Sequence, residues 1–158
     1  MIIQAATSAT QLDMMRDLFR EYEQFLQVDL CFQDFNQELA NLPGKYAPPD
    51  GALMLALNSE QPIGCVALRK LEEGICEMKR LYVKPEGRGT GLGKKLAEQI
   101  ITIARQRGYS TMRLDTLDTL TEAIGLYQRL GFRQVPPYYD NPLAGALYWE
   151  LDLRGRSC

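Results

Sequence analysis

The amino-acid sequence predicts an α+β domain, and three observations carry that prediction. Three strand-like runs, Ala52–Asn58, Ile63–Leu71 and Ile75–Lys84, are separated only by short turns, so they should form an antiparallel meander. Apolar residues at helical spacing mark amphipathic helices before and after that meander. A strand, a helix and two further strands then follow with no linker between them.

In chain order, residues 2–6 (IIQAA) suit a short first strand. Ser8-x-x-Gln11 offers a capping box, and Leu12, Met15, Leu18, Phe19, Tyr22 and Leu26 continue as one helix face. The helical spacing extends through Phe32, Phe35 and Leu39. Residues 42–51, with three prolines and a closing Asp-Gly, predict a loop. After the meander, Leu92, Leu96, Ile100, Ile103 and Ala104 form the apolar face of a helix that starts near Gly91 and stops at Gly108. Thr111–Thr116 reads as a strand. Thr119-x-x-Glu122 has the spacing of a capping box for a helix ending at Gly131, and Phe132–Val135 and Ala146–Leu153 read as the last strands.

Composition narrows the chemistry. The 158 residues fit a single domain over 1–158, and 46% hydrophobic with 24% charged residues is ordinary for a globular protein. A net charge of -2 without a basic stripe argues against a nucleic-acid partner. The sequence has no histidine, which removes Ser-His-Asp and Cys-His nucleophiles and the commonest zinc ligand. Cys31, Cys65, Cys76 and Cys158 are scattered, with no CxxC pair, so a metal site is not expected and a reducing compartment is. The longest apolar run, Ala52–Leu57, is far short of a bilayer span, so a cytoplasmic chain with no membrane partner is expected.

The most informative segment is the strand–glycine turn–helix around Arg88-Gly89-Thr90-Gly91-Leu92-Gly93-Lys94. A helix N-terminus leaves backbone N–H groups unpaired and favours an anion, and glycines let a phosphate come close. A Walker loop fails here because Lys95 stands where Ser or Thr is required, and GxGxxG fails at Lys94 and at Leu92.

Arg88-x-x-Gly91-x-Gly93 does match a known pattern. With the preceding Glu77–Val83 and Pro85, and with Ala123-x-x-Leu126-Tyr127-x-x-x-Gly131-Phe132, the chain resembles the GNAT superfamily of N-acetyltransferases over about residues 63–135. The resemblance implies a mixed α/β, three-layer α/β/α fold whose mostly antiparallel central sheet splays between its fourth and fifth strands. It also implies acetyl-CoA as co-substrate. Leu81, Tyr82 and Val83 would line the pantetheine arm, and the backbone of Arg88, Gly89, Thr90, Gly91, Leu92, Gly93 and Lys94 would hold the pyrophosphate.

The implied reaction is direct attack of an amine on the thioester within a ternary complex. Tyr127, the tyrosine of the Leu-Tyr-x-x-x-Gly-Phe signature, would also line the cofactor and would protonate the departing thiolate. Glu77 is the candidate base, with ordered water as the alternative. Regular strand alternation puts Glu77, Lys79, Leu81 and Val83 on one face, with Glu77 toward the acceptor; the alternative is a surface carboxylate paired with Lys79 or Arg80. Tyr22, Tyr46, Tyr138, Tyr139 and Asn141 are candidate acceptor-site residues, suited to a small polar or cationic amine. Acetylation of a protein N-terminus or lysine is the rival reading within enzymes, and a non-catalytic CoA-binding module the rival outside them. A homodimer is left open.

Overall fold

The computed structural model describes residues 1–154, so Cys158 lies outside the described residues. Seven strands form one sheet in the order β1-β2-β3-β4-β5-β7-β6. They are β1 Ile2–Ala5, β2 Ala52–Asn58, β3 Gln61–Glu72, β4 Ile75–Val83, β5 Thr111–Leu117, β6 Arg133–Val135 and β7 Ala146–Asp152. All neighbours are antiparallel except β4 and β5. Four α-helices, α1 Ala9–Leu26, α2 Phe35–Ala40, α3 Leu92–Gln106 and α4 Thr121–Arg129, cover the sheet. The expected mixed, three-layer architecture is therefore present. Among the described residues no helix is long and apolar enough to cross a membrane.

The near-continuous apolar runs of β2 and β3 follow from burial on both faces. Alternate residues of β2 divide between two cores. Ala52, Met54 and Ala56 join the α3 and α4 side, with Leu96, Ile100 and Leu126. Leu53 and Leu55 join the α1 and α2 side, with Met15, Leu18, Phe19 and Leu39. Helix α1 begins with the expected capping box between Ser8 and Gln11. Helices α3 and α4 both end in paired 6→1 and 5→2 bonds around Gly108 and Gly131, which satisfies carbonyls that would otherwise be orphaned.

Three departures from the sequence expectation have local causes. The helix beginning at Ala9 stops at Leu26, where Gln27 turns left-handed, instead of running on through Phe32 and Phe35. Glu23 accepts the Leu30 N–H at 2.9 Å and Asp29 accepts the Cys31 N–H at 2.8 Å. These side chains offer the backbone a non-helical alternative, and a 3-10 turn over Cys31–Gln33 then leads into α2.

Thr119 does not cap α4. The Leu120 N–H closes a turn on the Leu117 carbonyl, and Leu120 takes the cap position without any side-chain bond.

The third departure matters most for the site. Regular alternation along β4 breaks at Arg80, whose φ is +61°. Cys65 pairs with Tyr82 but Ala67 pairs with Lys79, so β4 carries an extra residue there. A bulge of this kind reverses the facing of everything beyond it. Leu81 and Val83 consequently pack on the α3 side, while Tyr82 packs on the α1 side. Lys79 and Arg80 reach Gln33 and Glu38 beside α2. Glu77 and Lys79 thus do not share a face with Leu81 and Val83.

Candidate active site

After β4 a 3-10 turn, Pro85–Gly87, carries the chain into the glycine loop. The Thr90 hydroxyl donates to the Gly87 carbonyl at 2.6 Å and fastens the turn. Gly91 occupies the cap of α3 at φ +81°, a left-handed conformation that glycine adopts without strain, and no side chain caps the helix. The first helical bond is Lys95 N–H to Gly91 O. Among the described residues, the six N–H groups from Gly89 to Lys94 have no protein acceptor. A Cβ built on Gly89 or Gly91 would meet nothing within 4 Å. The loop is an array of unspent donors at a positive helix end, open on one side.

That open side faces a cavity of about 740 Å³. The loop from Gly87 to Lys94, the residues Leu81 to Val83, and Ala123, Leu126 and Tyr127 of α4 all contribute to its wall, though Thr90 does not. The cavity exists because β4 and β5 part company. Their pairing stops at Glu77↔Arg113, and the last stretch of β4 has no β5 neighbour. Leu81, Tyr82 and Val83 therefore border the gap, although the Val83 carbonyl is engaged by Arg88 Nε at 3.0 Å. The Arg88 guanidinium stacks over Phe25, 4.8 Å from the ring centre, and Phe25 also lines the cavity.

Tyr127 lines both this cavity and a smaller one beside it, of about 40 Å³. Its ring packs edge-on against Phe132. The hydroxyl has no hydrogen-bond partner among the described residues. Burial, with Tyr22 and Asp115 nearby, pushes its pKa well above the usual phenol value. It is a protonated donor at neutral pH.

Glu77 is not at the cavity wall. Its side chain is 1% exposed, and both oxygens are taken. Arg69 Nε donates to Oε1 at 2.7 Å, the Tyr138 hydroxyl donates to Oε2 at 2.7 Å, and Lys79 Nζ lies 3.9 Å away. Burial raises the carboxyl's pKa, but Lys79, Arg69 and Tyr138 together hold it below the ordinary glutamate value. Both sequence-based accounts need correcting. The carboxylate is buried rather than superficial, its partners are Arg69 and Lys79, and Arg80 is bound instead to Glu38 at 2.8 and 3.0 Å. A base acts directly or through one water; here both carboxylate oxygens are engaged and the side chain lies off the cavity wall.

The five acceptor-site candidates separate. Tyr22 lines both cavities, and burial lifts its pKa to about 12. Tyr139 and Asn141 converge on Asp115 Oδ2, the first through its hydroxyl at 2.8 Å and the second through Nδ2 at 3.3 Å. Tyr138 stacks against Tyr139 and Tyr148 while holding Glu77. Tyr46 stands apart, buried in the α1-side core against Phe19. Of the five, Tyr22 lines the cavities, and Tyr46, Tyr138, Tyr139 and Asn141 line neither.

Sequence reasoning missed Asp115, which lines both cavities, and Gln33, which links Lys79 to the Tyr139 hydroxyl. The available signal was modest. Met112, Leu114 and Thr116 form the buried parity of β5, so Arg113 and Asp115 had to face the other side.

Comparison with known proteins bears on family and fold. Residues 12–132 match the acetyltransferase (GNAT) family. A protein of Schizosaccharomyces pombe, described as an uncharacterized N-acetyltransferase, is 44% identical over 153 residues, covering 96% of this chain and 94% of its own. The acetyltransferase of GNAT family from Staphylococcus aureus Mu50 superposes with a TM-score of 0.81 at 20% identity, over 96% of this chain and 98% of its own. The yncA acetyltransferase of Salmonella typhimurium, solved with its cofactor acetyl-CoA, superposes with a TM-score of 0.74 at 18% identity, over 100% and 96% of the two chains. With a family match over most of its length and so similar a full-length relative, this chain belongs to the GNAT family of N-acetyltransferases.

Proposed function

We propose that the protein moves an acetyl group from acetyl-CoA to the primary amine of a small molecule, by direct attack within a ternary complex. One observation carries the reading: a run of N–H groups from Gly89 to Lys94, unpaired among the described residues, belongs to a loop that walls the same cavity as Tyr127 and the parted strands. Such an array suits a pyrophosphate, and the empty space beyond Gly89 and Gly91 lets one approach the backbone. Acetyl-CoA, when bound, supplies the thioester.

The chain's residues would then act as follows. Gly89 to Lys94 hold the anionic end, and the unpaired edge of β4 near Leu81 and Val83 guides the arm inward. Tyr127 keeps its proton until a thiolate forms nearby, because burial disfavours the phenolate. The amine gives up its proton to water in the cavity. Glu77 acts only as a positioning group, holding Lys79 and Tyr138 in place.

A small acceptor fits better than a protein one because the loop carrying Tyr138, Tyr139 and Asn141 is tied down against Glu77 and Asp115. The test is release of CoA thiol from acetyl-CoA across amino acids, polyamines, aminoglycosides and peptides. Turnover with small amines and none with peptides is expected; peptide-only turnover would favour a protein acceptor, and none at all would leave a CoA-binding module.

A further inference from the structure

Lys79 and Asp115 occupy equivalent rungs of β4 and β5. The parallel register runs Ile75↔Thr111, Cys76↔Met112, Glu77↔Arg113, and then the strands separate. Two residues further along each strand, on the same face as Glu77 and Arg113, come Lys79 and Asp115. They stand opposite each other across the start of the gap, yet too far apart for an ion pair, and both line the smaller cavity.

Each carries unspent bonding capacity. The Asp115 carboxylate takes Tyr139 and Asn141 on Oδ2, has no cation within ion-pairing distance among the described residues, and has no partner on Oδ1. Lys79, with 6% of its side chain exposed, gives one hydrogen bond to Gln33 Oε1 at 2.9 Å. An ammonium has three donors. Its nearest carboxylate, Glu77, is 3.9 Å away and already bound at 2.7 Å by Arg69.

The surrounding charges do not make up the deficit. Arg80 and Lys45 share Glu38, and Arg69 and Lys79 share Glu77. The Lys79 end is therefore short of negative charge, and the Asp115 end is short of positive charge. Burial, reinforced by Arg80, lowers the Lys79 pKa to about 8 despite Glu77 and Asp115, as expected of an under-compensated ammonium.

We infer that the acceptor is a zwitterionic amine of amino-acid type, its ammonium received by Asp115 and its carboxylate by Lys79 across the mouth of the splay. The smaller cavity, at about 40 Å³, holds roughly three waters. That is the size of one carboxylate group, and the remainder of the acceptor extends into the larger cavity, which shares Tyr22, Asp115 and Tyr127 with it. The rings of Tyr22 and Tyr127, which line both cavities with Asp115, suit an ammonium. A polyamine is disfavoured, because its second cation would meet Lys79 and Arg80.

This inference rests on the acetyltransferase reading, and the test separates the two. The full-length protein with acetyl-CoA is given a series of L-amino acids, each beside its own carboxamide, with spermidine as the polycation. At least one acid should be acetylated about tenfold or more faster in kcat/KM than its amide, since a charge-assisted contact is lost in the amide. In Lys79→Met that ratio should fall toward one, while Asp115→Asn should slow acid and amide alike. Amides matching their acids throughout, or spermidine preferred over every acid, would overturn the inference and leave the acetyltransferase reading standing. Absence of CoA release with every amine would overturn both. The acid-to-amide comparison on the unmodified protein decides the matter even if Lys79→Met does not fold.

Discussion

The Tyr138 hydroxyl donates to Glu77 Oε2 at 2.7 Å, so the loop between β6 and β7 is bolted to a buried carboxylate on β4. Arg69 holds the other oxygen from β3. Three separate segments thus meet at one charge, and this junction lies one rung below the point where β4 and β5 open.

Glu77→Gln removes that charge while keeping the side chain's shape. Arg69 and Lys79 are left without their carboxylate, and breaking a buried pair of this kind costs about 3–5 kcal/mol. The pH dependence has a definite direction. The folded-state pKa of Glu77 lies below its unfolded value, so its stabilisation is present above the unfolded pKa, near 4.3, and disappears as pH falls through the folded value. Glu38, also lowered by its pairing with Arg80, contributes in the same sense. Melting curves between pH 7 and pH 3 should show a smaller acid-induced loss in Glu77→Gln than in the unmodified protein. Equal losses would mean that folding does not lower the Glu77 pKa, and a larger loss in the variant that folding raises it.

The Glu38–Arg80 pair fixes the bulge that turns Leu81 and Val83 toward α3. Both side chains are 3% exposed, and Arg80 holds a left-handed φ of +61°. Glu38→Gln should lower the melting temperature by about 6–20 °C, from 3–5 kcal/mol at about 2–4 °C per kcal/mol. A change within about 1 °C would show that the pair contributes nothing net.

At the glycine loop, Gly91 and Gly93 serve different tests. Any side chain at Gly91 meets its φ of +81°, which mixes strain with obstruction. Gly93 lies in α3, and a Cβ there would touch Val83 and Leu126 at ordinary distances of 3.9 and 4.0 Å. Gly93→Ala should therefore leave stability unchanged or raise it, as alanine favours a helix. Bulk at this position reduces the approach to the N–H array, so Gly93→Val should weaken acetyl-CoA binding about tenfold or more in calorimetric titration. Undiminished affinity would remove the loop from cofactor binding.

Tyr127→Phe keeps the ring against Phe132 and deletes a hydroxyl that has no hydrogen-bond partner among the described residues. The melting temperature should hold, acetyl-CoA affinity should change little, and kcat should fall about tenfold or more. An unaltered kcat would leave Tyr127 as a wall of the cavity.

The strands, the glycine loop and the helix faces were legible because each is written locally. Period-two and period-3.6 patterns, Ser8 with Gln11, and glycines at helix ends act within a few residues. What escaped depends on partners distant in sequence. The bulge at Arg80 is held by Glu38, 42 residues earlier, and alternation rules place Leu81 and Val83 correctly only once that extra residue is known. Asp115 looks like any strand carboxylate until Tyr139 and Asn141 are brought to it from 24 and 26 residues away. Glu77 was found by its spacing from Val83, but its burial by Arg69 and Tyr138 is a tertiary fact.

Direct transfer is tested most sharply in a single turnover with acetyl-labelled acetyl-CoA held at less than the protein concentration. After mixing without acceptor, the label should stay on CoA, since the proposed reaction passes the acetyl group straight to the amine and gives Tyr127 only a proton to donate. On addition of an amine acceptor, the label should pass to the amine in step with the appearance of CoA thiol, and no protein-bound label should be seen at any time. Label found covalently on the protein, or label that remains on CoA whatever amine is added, would contradict the account.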